Sequence, residues 1–278
     1  MKIIQKIKII MNRFWIFHRS IVWKNLIFKN IHKDQTCLIY GNGASLKYYN
    51  LTYIKDYISI GCTYSLTDKR LTSQKLTYCV ISDSYLLYPF RLHNYTNKIA
   101  FNYVAPILKK IIKNNSETQF FTSITNYYSF FVNPSNLNYF HHFGEKRLIS
   151  SNLAENFTNC AGALDIMIGI AKYMGFKKVV LLGCDYLGTP KMEGHFYSDS
   201  APIYGKDDPV YSSRIKEIAG ELNVIVILPN GVTCPTFEAQ TFEKYFGFPE
   251  GYQSNTDIID NDYLLMMRKA NIKSQLWM

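Results

Sequence analysis

Paired cysteines are missing from this chain. Its six cysteines (37, 62, 79, 160, 184 and 234) stand singly in apolar stretches, with no Cys-x-x-C and no cluster with histidine. That argues against a disulfide scaffold or a zinc site and suits reduced, buried thiols in a cytoplasmic protein. Long uncharged hydrophobic runs are missing too. Nothing approaches the roughly 18 apolar residues of a spanning helix, and no small-residue cleavage site follows the basic start. No Pro/Gly/Ser-rich linker and no internal repeat divides the chain, so one domain with an insertion is expected. The glycine turn at 41–43 is not followed by Gly-Lys-Ser/Thr, and Leu46 stands where a dinucleotide fingerprint needs its third glycine. An ordinary P-loop kinase or NAD fold is therefore disfavoured.

Acidic residues are absent from positions 1–33, where Lys2, Lys6, Lys8, Arg13, Arg19, Lys24, Lys29 and Lys33 alternate with apolar groups. Ile3, Ile7, Ile10, Phe14, Phe17 and Ile21 recur at helical spacing beside Trp15 and Trp23. Two readings fit: a basic amphipathic helix (1–34) lying on an anionic inner-leaflet surface, or a helix packed on the core or on a second subunit. The whole chain has 31 Lys+Arg against 21 Asp+Glu, a formal +10 that suits anionic partners such as nucleotides or phospholipid headgroups. No nucleic-acid-binding motif accompanies that charge, so nucleic acid is not expected as a partner.

From Thr36 the pattern is that of an α/β protein, and with 47% hydrophobic residues the chain can bury one substantial core. Strands are predicted at 36–40, 57–61, 77–82, 178–183 and 223–228, several of them β-branched runs of the kind covered on both faces. Helices are predicted at 161–174, ending at Gly175, and at 212–222. Strand-helix alternation implies a single Rossmann-like domain with a mostly parallel sheet, helices on both faces, and ligands beyond the carboxyl ends of the strands. The domain would cover 35–235, with an irregular, lid-like insertion at about 84–155. A helical extension would follow at 236–278, with short helices at 237–248 and 263–269.

The chemistry is expected at the strand ends. Gly41-Asn42-Gly43-Ala44-Ser45 reads as a phosphate-binding turn, in which glycines at positive φ aim N–H groups inward, Asn42 adds an amide and Ser45 caps the next helix. Asp83, Cys184-Asp185-Tyr186 and Pro229-Asn230-Gly231 follow other strands and would converge on the same crevice. His195, in Glu193-Gly194-His195-Phe196-Tyr197, is the histidine placed to take a proton from a hydroxyl, and a nearby tyrosine can hydrogen-bond a phosphate. His141 and His142 suit packing or surface roles. Asp260-Asn261-Asp262 follows no convincing strand and reads as a solvated turn rather than a metal site.

Gly41–Leu46 after the first strand, Asp83 after the third, Cys160-Ala161-Gly162-Ala163, Gly175–Tyr186 and Leu228-Pro229-Asn230 resemble, in that order, the bacterial sialyltransferases of glycosyltransferase family 42. They equally resemble the related MptE-like group of surface-polysaccharide and flagellin-modification proteins, which includes archaeal pterin diphosphokinases. The resemblance runs from about Thr36 to Asn230. It implies a nucleotide-binding domain using a CMP-activated sialic acid or related nonulosonate, with a glycan or lipid-linked acceptor and no obligatory metal. Gly41, Asn42, Gly43, Ser45, Asp83, Gly162, Asp185 and Asn230 would bind the nucleotide. His195 would be the general base of an inverting transfer, and Tyr186 and Tyr197 would hold the leaving phosphate. Counted back from Asn230 without gaps, the family's base histidine falls near Tyr204, which makes His195 a displaced substitute. The alternative within the wider group is an ATP-dependent diphosphokinase with Mg²⁺ held by Asp83 and Asp185.

Overall fold

The computed structural model describes residues 16–83, 86–87, 104–130, 132–141, 150–157, 162–199, 202–205 and 209–275. Its centre is an eight-stranded, wholly parallel sheet. The strands are β1 (Thr36–Tyr40), β2 (Ile58–Cys62), β3 (Tyr78–Ile81), β4 (Gln119–Ser123), β5 (Leu137–Phe140), β6 (Lys178–Leu182), β9 (Asn223–Ile227) and β10 (Glu238–Gln240). A separate antiparallel hairpin is made by β7 (Lys191–Glu193) and β8 (Ile203–Gly205). The helices are α1 (16–23), α2 (Lys69–Ser73), α3 (Ala105–Asn114), α4 (Ala163–Tyr173), α5 (Pro209–Ala219), α6 (Phe242–Phe246), α7 (Asn255–Ile258) and α8 (Asn261–Gln275).

The five central strands predicted from sequence all form, within a residue or two of the expected bounds. Each is a short apolar run, and in β1 the two-residue period decides the packing. Cys37 and Ile39 join one hydrophobic core while Leu38 and Tyr40 join the other, on opposite faces of the sheet. The first core contains α4, α5 and Phe28; the second contains α3, Leu46, Tyr49, Phe242 and the start of α8. Helix α4 is buried nearly all round because it lies between the sheet and α5. Each of its wholly enclosed isoleucines contributes about 1.5–3 kcal/mol by leaving water. It ends where Gly175 takes φ +83°, a backbone state that favours glycine at this position.

The sheet order is β10-β9-β6-β1-β2-β3-β4-β5. Six consecutive strands, β3-β2-β1-β6-β9-β10, have the order of a doubly wound dinucleotide fold, with β4 and β5 added beyond β3, and the direction of winding reverses between β1 and β6. A crevice opens there, outside the carboxyl ends of the strands.

The stretch 84–155 differs from the expected irregular insertion. Its described part supplies α3, β4 and β5, and both strands extend the main sheet. Gln-Phe-Phe-Thr-Ser and Leu-Asn-Tyr-Phe are short and aromatic, without a clean alternation, so their pairing depends on β3 being beside them rather than on a local signal. Residues 88–103 and 142–149 lie outside the described residues, as do Cys160, Ala161, His142 and positions 1–15. The following segment also differs: residues 238–240 pair with β9 as β10 before α6 begins. At the opposite edge, Asn25 Nδ2 donates to Tyr139 O (2.7 Å) and Leu153 O (2.9 Å), so residues just after α1 cover the outer side of β5.

Candidate active site

A cavity of about 630 Å³ sits at the reversal point between β1 and β6. Gly41, Asn42 and Gly43 form one wall and Gly183, Asp185 and Tyr186 another; Cys62 comes from β2, and Ala163, Leu164 and Met167 from α4. The β7–β8 hairpin closes the side with Lys191, Met192, Glu193, Gly194 and His195.

The glycine turn works differently from the expectation. Neither Gly41 nor Gly43 has positive φ. The turn needs glycine because of close approach: a Cβ on Gly41 would strike Gly183 O, and one on Gly43 would strike the Asp185 carboxylate and come within 2.6 Å of Gly183 O. Both amides already have partners, Gly41 N on Leu182 O and Gly43 N on Gly183 O, each at 2.8 Å. The segment that follows, Ala44–Tyr48, is a five-residue 3-10 helix whose N-cap is Gly43, too short to offer an anion the end of a long dipole. Ser45 is therefore not the cap. It is buried, and both its N (2.8 Å) and its Oγ donate to Asp185.

Asp185 is enclosed. Desolvation raises its carboxyl to about 6, opposed by hydrogen bonds from Ser45 and the Ala44 amide. Its role is to lock the ends of β1 and β6 together. Both its oxygens accept bonds from that turn, and Asp83 is not among the residues that line the cavity. Among the described residues no group of three His, Cys, Asp or Glu side chains could hold a metal. Cys62 faces the cavity, but burial pushes its thiol up to about 12, so no thiolate nucleophile is on offer.

His195 is carried over the turn by backbone pairing. It bridges Gly43, and Phe196 N donates to Asn42 O at 3.0 Å while the Phe196 side chain is wholly buried. Surrounding protein lowers the histidine pKa through desolvation, partly offset by a hydrogen bond to the Asn42 backbone. The imidazole is thus neutral at pH 7 and can accept a proton. Tyr197 stacks on it with ring centres 4.8 Å apart and meets Tyr64 edge-on at 5.2 Å, so Tyr197 supports His195 from behind and does not line the cavity. Asn42 lines the cavity, and its buried Oδ1 has no hydrogen-bond partner.

Of the residues singled out from sequence, Gly41, Asn42, Gly43, Asp185, Tyr186 and His195 meet at the cavity. Ser45, Asp83, Gly162, Tyr197 and Asn230 do not reach its wall, although Gly162 is the N-cap of α4 and Asp83 and Asn230 follow strands of the same edge. Desolvation raises the Asp83 carboxyl, and its backbone oxygen accepts from Asn126 Nδ2. Tyr204, at the ungapped position of the family histidine, is 61% exposed on β8 and outside the cavity. Sequence reasoning missed Lys191, a lone basic residue in a three-residue strand with no pattern to mark it.

No family model and no curated protein matches the chain in sequence. Among solved structures it is similar to the sialyltransferase CstII from Campylobacter jejuni in complex with a substrate analogue, cytidine-5′-monophosphate. There the identity is 16%, with 86% of this chain and 99% of that chain covered and a TM-score of 0.42. A sialyltransferase CST-II complex with trisaccharide acceptor and CMP matches at 17% identity, covering 84% and 99%, with a TM-score of 0.44. The monofunctional α-2,3-sialyltransferase Cst-I from Campylobacter jejuni matches at 16%, covering 87% and 96%, with a TM-score of 0.44. The α/β assignment itself stands on the strand order described above.

Proposed function

We propose that the chain is a glycosyltransferase that moves a sialic acid or related nonulosonate from a CMP donor to a hydroxyl of a glycan or lipid-linked acceptor, in the assembly of surface polysaccharide or lipooligosaccharide. The observation that carries this reading is a neutral histidine held over Asn42 in a nucleotide-sized cavity at the reversal point of a doubly wound sheet. The buried Asn42 Oδ1 would be satisfied by a hydroxyl or amino donor of the nucleoside.

In this reading the donor lies along the cavity with its anomeric carbon toward His195. The acceptor hydroxyl gives its proton to the imidazole as its oxygen attacks. The bond to the CMP phosphate breaks through an oxocarbenium-like state, giving inversion, and Tyr186 hydrogen-bonds the departing phosphate. Magnesium is not required. The protein would work at the cytoplasmic face of the inner membrane, with its basic amino-terminal segment on the lipid surface.

Calorimetry with CMP, UDP, GDP and ATP, each with and without Mg²⁺, tests the reading. Metal-independent CMP binding that weakens in Asn42→Ala is expected, and binding of ATP alone with Mg²⁺ would replace it with the diphosphokinase alternative. His195→Ala should lower turnover about a hundredfold with CMP binding intact. Because the pKa of His195 is lowered, wild-type turnover should be level around pH 7 and fall only below the ordinary imidazole range.

A further inference from the structure

A nucleoside phosphate carries negative charge into a cavity whose wall already holds the Asp185 and Glu193 carboxylates. The glycine turn cannot offset it, since the Gly41 and Gly43 amides are bonded to Leu182 and Gly183 carbonyls. His195 does not offset it either, being neutral at pH 7. The remaining cation among the described lining residues is Lys191.

Lys191 stands at the start of β7 with its side chain 24% exposed, and its Nζ lies 3.0 Å from Glu193 Oε1. The two residues are two apart on one strand, so they share a face, and Glu193 is the more open partner at 53%. A pair with one solvent-exposed partner is weak, and the Glu193 carboxylate can turn to solvent at little cost. A phosphate, with more charge and more acceptor oxygens, competes well for the same ammonium.

We propose that Lys191 is the phosphate-binding residue of this cavity and that Glu193 occupies its ammonium until an anionic ligand arrives. The proposal rests on the nucleotide reading above and adds the group that recognises the charged part of the ligand. It also accounts for the small β7–β8 hairpin, which brings Lys191 and His195 to the same side of the cavity.

The test compares CMP with cytidine, the same nucleoside without the phosphate, by calorimetry on the full chain at low and moderate salt. The wild type should bind CMP at least about tenfold more tightly than cytidine, with the advantage shrinking as salt rises. Lys191→Gln should bind cytidine as the wild type does and lose most of the preference for CMP. Glu193→Gln should leave cytidine unchanged and tighten CMP by a few-fold, roughly the effect of removing one weak competing ion pair. A wild-type melting temperature in both variants excludes misfolding as the cause. If the wild type prefers CMP and Lys191→Gln keeps the same preference, the role of Lys191 is overturned while the nucleotide reading stands. If the wild type binds neither ligand, the nucleotide reading falls and this proposal with it.

Discussion

Asp185 shows how one residue can look like a ligand contact in sequence and act as a lock in the fold. An acid after a strand end is a common turn residue or a metal ligand, and both readings imply solvent or a cation nearby. In the structure it is buried, bonded to Ser45, and close enough to Gly43 that only a hydrogen fits between them. Its raised pKa makes a signed prediction. The native state keeps a proton on Asp185 between about pH 4 and 6 where the unfolded chain has lost it, so this contribution to stability is present below pH 4 and lost as pH rises through about 6. The loss is on the order of 2–3 kcal/mol. Urea unfolding of Asp185→Asn from pH 4 to 7 should show a flatter stability profile than the wild type by about that amount. Parallel profiles would mean that the carboxyl does not titrate in this range. The glycines beside it were legible as required, but for a different reason: contact, not positive φ.

At the scale of elements, the loop that carries His195 and Tyr197 is held by the carboxyl-terminal part of the chain, which the sequence marks only as a helical extension. Asn255 Nδ2, in α7, donates to Tyr197 O (3.2 Å) and Asp199 Oδ1 (2.8 Å), and Arg268 of α8 pairs with Asp199 at 2.7 Å. From the other side, the largely buried Lys47 reaches Ser198 O at 2.7 Å. Asn255→Ala removes two bonds at a cost of about 1–3 kcal/mol of local stability. The expected result is faster hydrogen exchange at the Phe196 and Ser198 amides, both bonded in this loop, with β1 amides unchanged. Unchanged exchange at those two amides would show that the loop keeps its place without α7. This support was not legible because each residue belongs to a different element, and only packing of the carboxyl-terminal helices against the second core brings them together. The strands β4 and β5 were missed for a related reason, since their residues form strands where β3 offers a partner.

Across the whole molecule, charge and exposed apolar surface coincide at the amino-terminal side. Ile16, Trp23, Leu26, Ile27 and Ile31 are exposed, with Ile27 at 71%, among Arg19, Lys24 and Lys29, while Ile21, Val22 and Phe28 anchor the same segment in the interior. No described helix is long and apolar enough to cross a membrane. Binding to vesicles containing phosphatidylglycerol, absent from pure phosphatidylcholine and weakened by salt, is the expected behaviour. Trp23→Ala with Ile27→Ser should reduce it by about tenfold, and equal binding by that variant would leave the patch for a protein partner. The sequence by itself determined the central strands, the glycine turn and the strand-helix order. Burial on both sheet faces demands continuous apolar runs, and a backbone passing within contact of another demands glycine. Only the tertiary structure decided which donors in the cavity are free, because hydrogen bonds between the segments that follow β1 and β6 join residues 140 positions apart. It also decided that the segment carrying Lys191 and His195 closes over the turn after β1, which follows from His195 pairing with Gly43, a residue some 150 positions earlier.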